Sequence, residues 1–150
     1  MDKKYIQRFR EVIRIFDREI FFQNNASCCN GISVAQCHTL LEIEKNKKIS
    51  VSELATNLSL DKSTVSRTVE GLVNISLVDR VTPKENRRKA LLNLTSNGQQ
   101  VCSTINYTND KYILSVLKDF SKEERVAFLG LLERFVSNME ATREISEQPV

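Results

Sequence analysis

A chain of 150 residues, 41% apolar and 27% charged, can bury one sizeable core, and that composition is ordinary for a globular protein. The net charge of +3 is too small to mark a nucleic-acid binder by itself, so any such role rests on where the cations sit. No apolar run reaches bilayer length and the Met1-Asp2-Lys3-Lys4 start lacks a signal-peptide core, so a cytoplasmic protein with no membrane partner is expected, its four cysteines serving as thiols, ligands or redox sensors rather than structural disulfides.

Near the start, Ile6, Phe9, Ile13, Phe16 and Ile20 alternate three- and four-residue steps, with Arg8, Arg10, Arg14 and Arg18 on or beside the other face. The default reading is a helix with a core stripe. A loop with Cys28, Cys29 and Gly31 follows, and Ser33 with Gln36 forms a capping box that starts the next helix at Val34. Cys37 and His38 then lie just past its first turn. If Gly31 turns the loop back, Cys28, Cys29 and Cys37 converge, and three thiolates suit a soft ion: As(III) first, with zinc or Cu(I) as further candidates for inducer or corepressor. His38 points about 100° away from Cys37 and is a weaker ligand. The plainer reading makes Cys37, three residues from both Val34 and Leu40, a small core residue, and Cys102 beside Val101 another. A redox switch is the third reading, in which a thiolate is oxidised to sulfenic acid and captured by a second thiol. Adjacent Cys28 and Cys29 would bridge poorly, so Cys37 or Cys102 would be the partner.

Residues 49–95 carry the strongest pattern. Ser50 and Glu53 form a second capping box, after which Val51, Leu54, Ala55 and Leu58 give a short helix one buried side. Asn57, Ser59 and Leu60 make a tight connection, and Asp61 is placed to cap a second helix. The product is a helix-turn-helix. Val65, Val69 and Leu72 form the inward stripe of the second helix, leaving Lys62, Ser63, Thr64, Ser66, Arg67 and Glu70 outward. Most of these sit in the first two turns, where a recognition helix meets base edges and phosphates, and Arg67 can make a bidentate contact to guanine. Taken alone, such a face is more often just solvated.

A basic hairpin shifts the balance. Leu77, Val78 and Val81 suit one strand and Ala90, Leu91, Leu92 and Leu94 another, with Thr82-Pro83-Lys84-Glu85-Asn86 as the turn. From Arg80 to Lys89 there are five cations, Arg80, Lys84, Arg87, Arg88 and Lys89, against Glu85. A thin cationic hairpin beside a reading helix can neutralise phosphates next to the groove. Beyond it, Val101, Ile105, Thr108, Tyr112 and Val116 predict a long helix. Ser121 and Glu124 then cap another, with Val126, Leu129, Leu132, Phe135 and Met139 on one side. The terminal helices hold more apolar surface than one small domain needs, so the two ends are expected to pack together and against a second copy. The tail from Ser137 is polar and is expected to fray.

Through ELATNLSLDKSTVSRTVEGL, LVDRV and NRRKALLNLT the chain resembles the MarR family of winged-helix regulators, and the flanking helices fit the same plan over nearly the whole length. The resemblance implies a mainly α fold of six helices with a small β-wing and a homodimer formed through the terminal helices. It also implies repression of promoters until a ligand, metal or oxidant lowers DNA affinity. By position it makes Ser63, Thr64, Ser66 and Arg67 the reading residues and Arg80, Arg87 and Arg88 the wing cations. Asn86 stands where the family commonly has Asp. Ser76 stands where it has a turn Gly, so Asn74 is expected to supply the left-handed residue. Ile105-Asn106-Tyr107-Thr108-Asn109 lacks the histidines of zinc-sensing relatives, which counts against zinc.

The organisation expected is therefore one domain, 1–150, with a DNA-binding lobe at 34–95 and a dimerisation region at 1–30 and 98–142. Its partners would be double-stranded DNA, a second copy and a metal or small-molecule inducer, with no cofactor required. Loop binding would move the second helix and change the distance between two reading heads; an apolar organic molecule between dimer helices and DNA lobe is the alternative. An enzyme is not expected, because Cys37 and His38 point apart and no phosphate loop or carboxylate pair is present. A protein-binding module that kept the fold without DNA affinity is a further reading.

Overall fold

The computed structural model describes residues 2–26, 31–82 and 90–146. Among them run α1 (Lys3–Ala26), α2 (Val34–Asn46), β1 (Ile49–Ser50), α3 (Val51–Leu58), α4 (Lys62–Asn74), β2 (Val78–Val81), β3 (Leu91–Leu94), α5 (Ser96–Val116) and α6 (Lys122–Ser146). The chain divides into two compact units, Met1–Asn109 and Asp110–Val150. No helix among the described residues is long and apolar enough to cross a membrane.

Local hydrogen bonding explains where the helices begin. The Gln36 amide donates to Ser33 Oγ at 3.2 Å while the Ser33 amide donates to Gln36 Oε1 at 3.0 Å, so both arms of the first capping box form. The second forms likewise: the Ser50 amide donates to Glu53 Oε2 at 2.9 Å and the Glu53 amide to Ser50 Oγ at 3.3 Å. At the start of α6 the Ser121 amide donates to Glu124 Oε2 at 2.8 Å and the Glu124 amide to Ser121 Oγ at 3.2 Å, which holds the Glu124 carboxyl below its usual range.

The core of the first unit gathers Leu40 and Ile43 of α2, Leu54 of α3, Val65, Val69 and Leu72 of α4, Val78 and Leu92 of the sheet, and Cys102 and Ile105 of α5. Each is at most 1% exposed. The sheet is antiparallel in the order β1-β3-β2. Ile49 pairs with Leu92 and Ser50 with Leu91, while Val78 pairs with Leu94 and Arg80 with Leu92. The hairpin was expected; β1 was not, because two residues carry no readable period.

Between α4 and β2 the chain turns through a Schellman motif. The Leu77 amide donates to the Leu72 carbonyl at 2.9 Å and the Ser76 amide to the Val73 carbonyl at 2.9 Å, which requires a left-handed residue at position 76. Ser76 takes it, with φ 58°, and Asn74 is the last residue of α4, so the expectation for Asn74 is corrected. Ser59 does the same after α3, at φ 53°. Thr95 stitches this turn to α5: its Oγ1 donates to the Ser76 carbonyl at 2.7 Å and accepts from the Gly98 amide at 2.9 Å. Asn106 Nδ2 donates to Glu44 Oε2 at 3.0 Å and ties α5 to α2.

The α1 stripe departs from its default reading. Ile6, Phe9, Ile13, Phe16 and Ile20 are 38–50% exposed, so they are not core within the single chain. Tyr5, Val12, Ile15 and Phe22 add apolar surface on other faces of the helix. In the second unit Val126, Leu129 and Met139 of α6 are likewise exposed, while Leu132 and Phe135 are half-buried.

Gly98 tests this packing. A Cβ there would lie 2.1 Å from the Leu77 carbonyl oxygen, a backbone atom that cannot swing aside. Gly98→Ala is expected to destabilise the chain by about 2–3 kcal/mol, lowering the thermal midpoint by roughly 5–10 °C, as measured by circular dichroism melting.

Candidate nucleic-acid interface

Burial of Val65, Val69 and Leu72 turns the opposite side of α4 outward. Lys62, Ser63, Arg67 and Glu70 are exposed, and Thr64 and Ser66 are half-buried at the edge of that face. Asp61 caps the helix by accepting from the Thr64 amide at 2.9 Å. Its carboxylate also accepts from Ser63 Oγ and Thr64 Oγ1, each at 2.5 Å. The side-chain hydrogen bonds from Ser63 and Thr64 hold the Asp61 carboxyl far below its ordinary value.

Arg80, on β2, reaches back to this helix. Its Nη2 lies 2.8 Å from Glu70 Oε2, joining the reading helix to the first strand of the hairpin. The sequence spacing turns Glu70 outward and puts Arg80 on the wing, but carries no sign of their pairing. Lys84, Arg87, Arg88 and Lys89, together with Asn86, lie outside the described residues.

The cysteines separate. Cys28 and Cys29 lie outside the described residues. Cys37 is fully buried in the core between α2 and its neighbours, and His38 is exposed, as their angular separation on a helix requires. Cys102 is also fully buried, with Sγ 3.9 Å from the Leu40 carbonyl. Burial, with a smaller push from the Glu44 charge, raises its thiol to about 11, which leaves little thiolate for oxidation or metal binding at neutral pH. Among the described residues no three Cys, His, Asp or Glu side chains gather as a metal site. An open depression of about 350 Å³, lined by Leu77, Asn97, Gln100, Val101 and Thr104, offers mainly amide and hydroxyl groups.

Comparison with known proteins agrees with this geometry. Residues 32–90, which run from just before α2 to the residue preceding β3, match the family model described as MarR family. The HTH-type transcriptional regulator YdgJ of Bacillus subtilis is 27% identical over 111 residues, 74% of this chain and 68% of its own length. Two solved structures share the fold at 20% identity. FabT of Streptococcus pneumoniae, in complex with DNA, superposes with a TM-score of 0.79 over 92% of this chain and 99% of its own. The PcaV transcriptional regulator of Streptomyces coelicolor, in complex with its natural ligand, gives 0.69 over 84% and 89%. The chain matches the MarR family over residues 32–90 and is similar to its winged-helix transcriptional regulators. In MarR terms α3 and α4 are the helix-turn-helix and β2 with β3 is the base of the wing, and the relatives are regulators, not enzymes.

Two outcomes follow. Asp61→Ala removes the cap of the MarR reading helix, and the stabilising contribution of that carboxylate is complete above its ordinary value of 3.8 and fades as pH falls below it. In urea unfolding the gap between wild type and Asp61→Ala is therefore expected to be full near about pH 6 and smaller near about pH 2. For the thiols, mass spectrometry after iodoacetamide treatment is expected to find Cys37 and Cys102 unmodified in the folded protein and alkylated after denaturation.

Proposed function

We propose that the chain binds duplex DNA as a homodimer and acts as a cytoplasmic repressor at a near-palindromic operator. The observation that carries this reading is the exposed face of α4, with Lys62 and Arg67 outward over a fully buried stripe and joined to β2 by the Glu70–Arg80 ion pair; in the sequence Lys84, Arg87, Arg88 and Lys89 follow β2. Arg67 reads bases in the major groove and the wing cations neutralise phosphates. The likeness to FabT, crystallised with DNA, supports DNA as the partner. In this reading 34–95 is the DNA-binding lobe, and 1–30 with 98–142 dimerise. The exposed apolar side chains of α1 and α6 support the dimer, since monomeric proteins rarely leave so much apolar surface in water. Two reading helices then sit about 34–36 Å apart, one turn of DNA.

An inducer releases the dimer by preferring its non-binding shape by several kcal/mol. The likeness to PcaV, crystallised with its natural ligand, supports a bound ligand as the inducer. The thiol reading, with As(III), zinc or Cu(I) at Cys28, Cys29 and Cys37 or an oxidant at the same thiols, has less support because Cys37 is fully buried.

Fluorescence anisotropy with duplex from upstream of the chain's own gene tests the DNA reading. Arg67→Ala is expected to weaken binding by about 1–3 kcal/mol, and the wild-type affinity is expected to fall steeply with salt. Binding that ignores both salt and Arg67 would instead point to a protein partner. Sedimentation at micromolar concentration is expected to give a dimer. Arsenite and peroxide are expected to leave the DNA complex intact; release that disappears in a chain with Cys28, Cys29 and Cys37 all changed to Ser would restore the thiol site.

A further inference from the structure

We propose that Glu70 is a positioning residue, holding the Arg80 guanidinium at the junction of α4 and β2 so that its remaining N–H groups meet a backbone phosphate of bound DNA. This rests on the DNA-binding reading above. Glu70 follows Ser63, Ser66 and Arg67 at helical spacing, so its carboxylate stands on the face that meets the duplex. A lone carboxylate there would be repelled by phosphates lying within the roughly 8–10 Å over which charges act in salt. The ion pair cancels that charge: Arg80 Nη2 lies 2.8 Å from Glu70 Oε2.

The pair does little for folding, because the two side chains are 40% and 52% exposed and ion pairs open to water contribute little to stability. Its consequence lies in geometry. A guanidinium carries five donors in a rigid plane, and Glu70 engages one edge, leaving the other donors for a second oxyanion. Arg80 is otherwise a long side chain whose freedom would be lost on binding, and holding it beforehand lowers that loss. Because Arg80 also pairs across the sheet with Leu92, the same contact fixes the wing strand relative to the reading helix.

The test uses the full chain as wild type, Glu70→Ala, Arg80→Ala and the double variant, each titrated by anisotropy against duplex from upstream of its own gene over a range of salt. Glu70→Ala is expected to weaken binding by about tenfold in the wild-type background, the scale of one charge-assisted hydrogen bond, and to cause no loss in the Arg80→Ala background, where removing the now unpaired carboxylate instead relieves its repulsion by phosphate. Arg80→Ala is expected to lower the slope of log affinity against log salt by about 0.9, the signature of one phosphate contact, with thermal midpoints nearly unchanged. Glu70→Gln, which keeps an acceptor oxygen of the same reach, is expected to restore most of the affinity. Tighter binding by Glu70→Ala would mean that the carboxylate masks Arg80, and an equal loss in both backgrounds would mean that it acts without Arg80; either result, or no change at all, overturns the proposal. A wild-type chain that binds no duplex rejects the DNA-binding reading itself, and the role of Glu70 falls with it.

Discussion

The burial of three side chains, Val65, Val69 and Leu72, decides which side of α4 is available to anything outside the molecule. Fully burying aliphatic side chains of this size stabilises by about 1.5–3 kcal/mol each. The three together approach the net stability of an ordinary domain, about 5–15 kcal/mol. Rotating α4 to present another face would forfeit most of that, so the outward position of Ser63, Arg67 and Glu70 is as secure as the core itself. The sheet depends on the same packing, since Val78 and Leu92 close the core from the far side and place the hairpin next to the helix.

Within each unit, carboxylates organise the local polar groups. Glu53 and Glu124 complete caps at the starts of α3 and α6, Asp61 caps α4, and Glu70 takes up Arg80. Glu44 meets Asn106 across α2 and α5 and also adds to the upward push on the Cys102 thiol. Among the described residues these five carboxylates are thus engaged in local geometry.

The elements that sequence reasoning located well are those fixed by contacts between near neighbours. The three capping boxes follow from residues three apart, and the inward stripes of α3 and α4 from helical spacing. The resemblance to MarR regulators extended those to the whole fold. Strand β1 escaped because two residues have no period, and its pairing with β3 joins segments some forty residues apart. Position 76 escaped because the left-handed conformation was assigned by residue preference, whereas two backbone hydrogen bonds to Leu72 and Val73 select the site. The Glu70–Arg80 contact crosses from helix to strand, where no local spacing rule applies. The α1 stripe was readable as a stripe, but periodicity does not say what covers it. Cys37 lay three residues from both Val34 and Leu40, and that spacing already favoured the core position it occupies.

Asp61 leaves a chemical asymmetry at the leading end of α4. An ionised carboxylate has no hydrogen to give, so at 2.5 Å the Ser63 and Thr64 hydroxyls must each surrender theirs to it. What those oxygens still turn outward are lone pairs. Whatever they greet without breaking the cap has to arrive bearing a proton of its own.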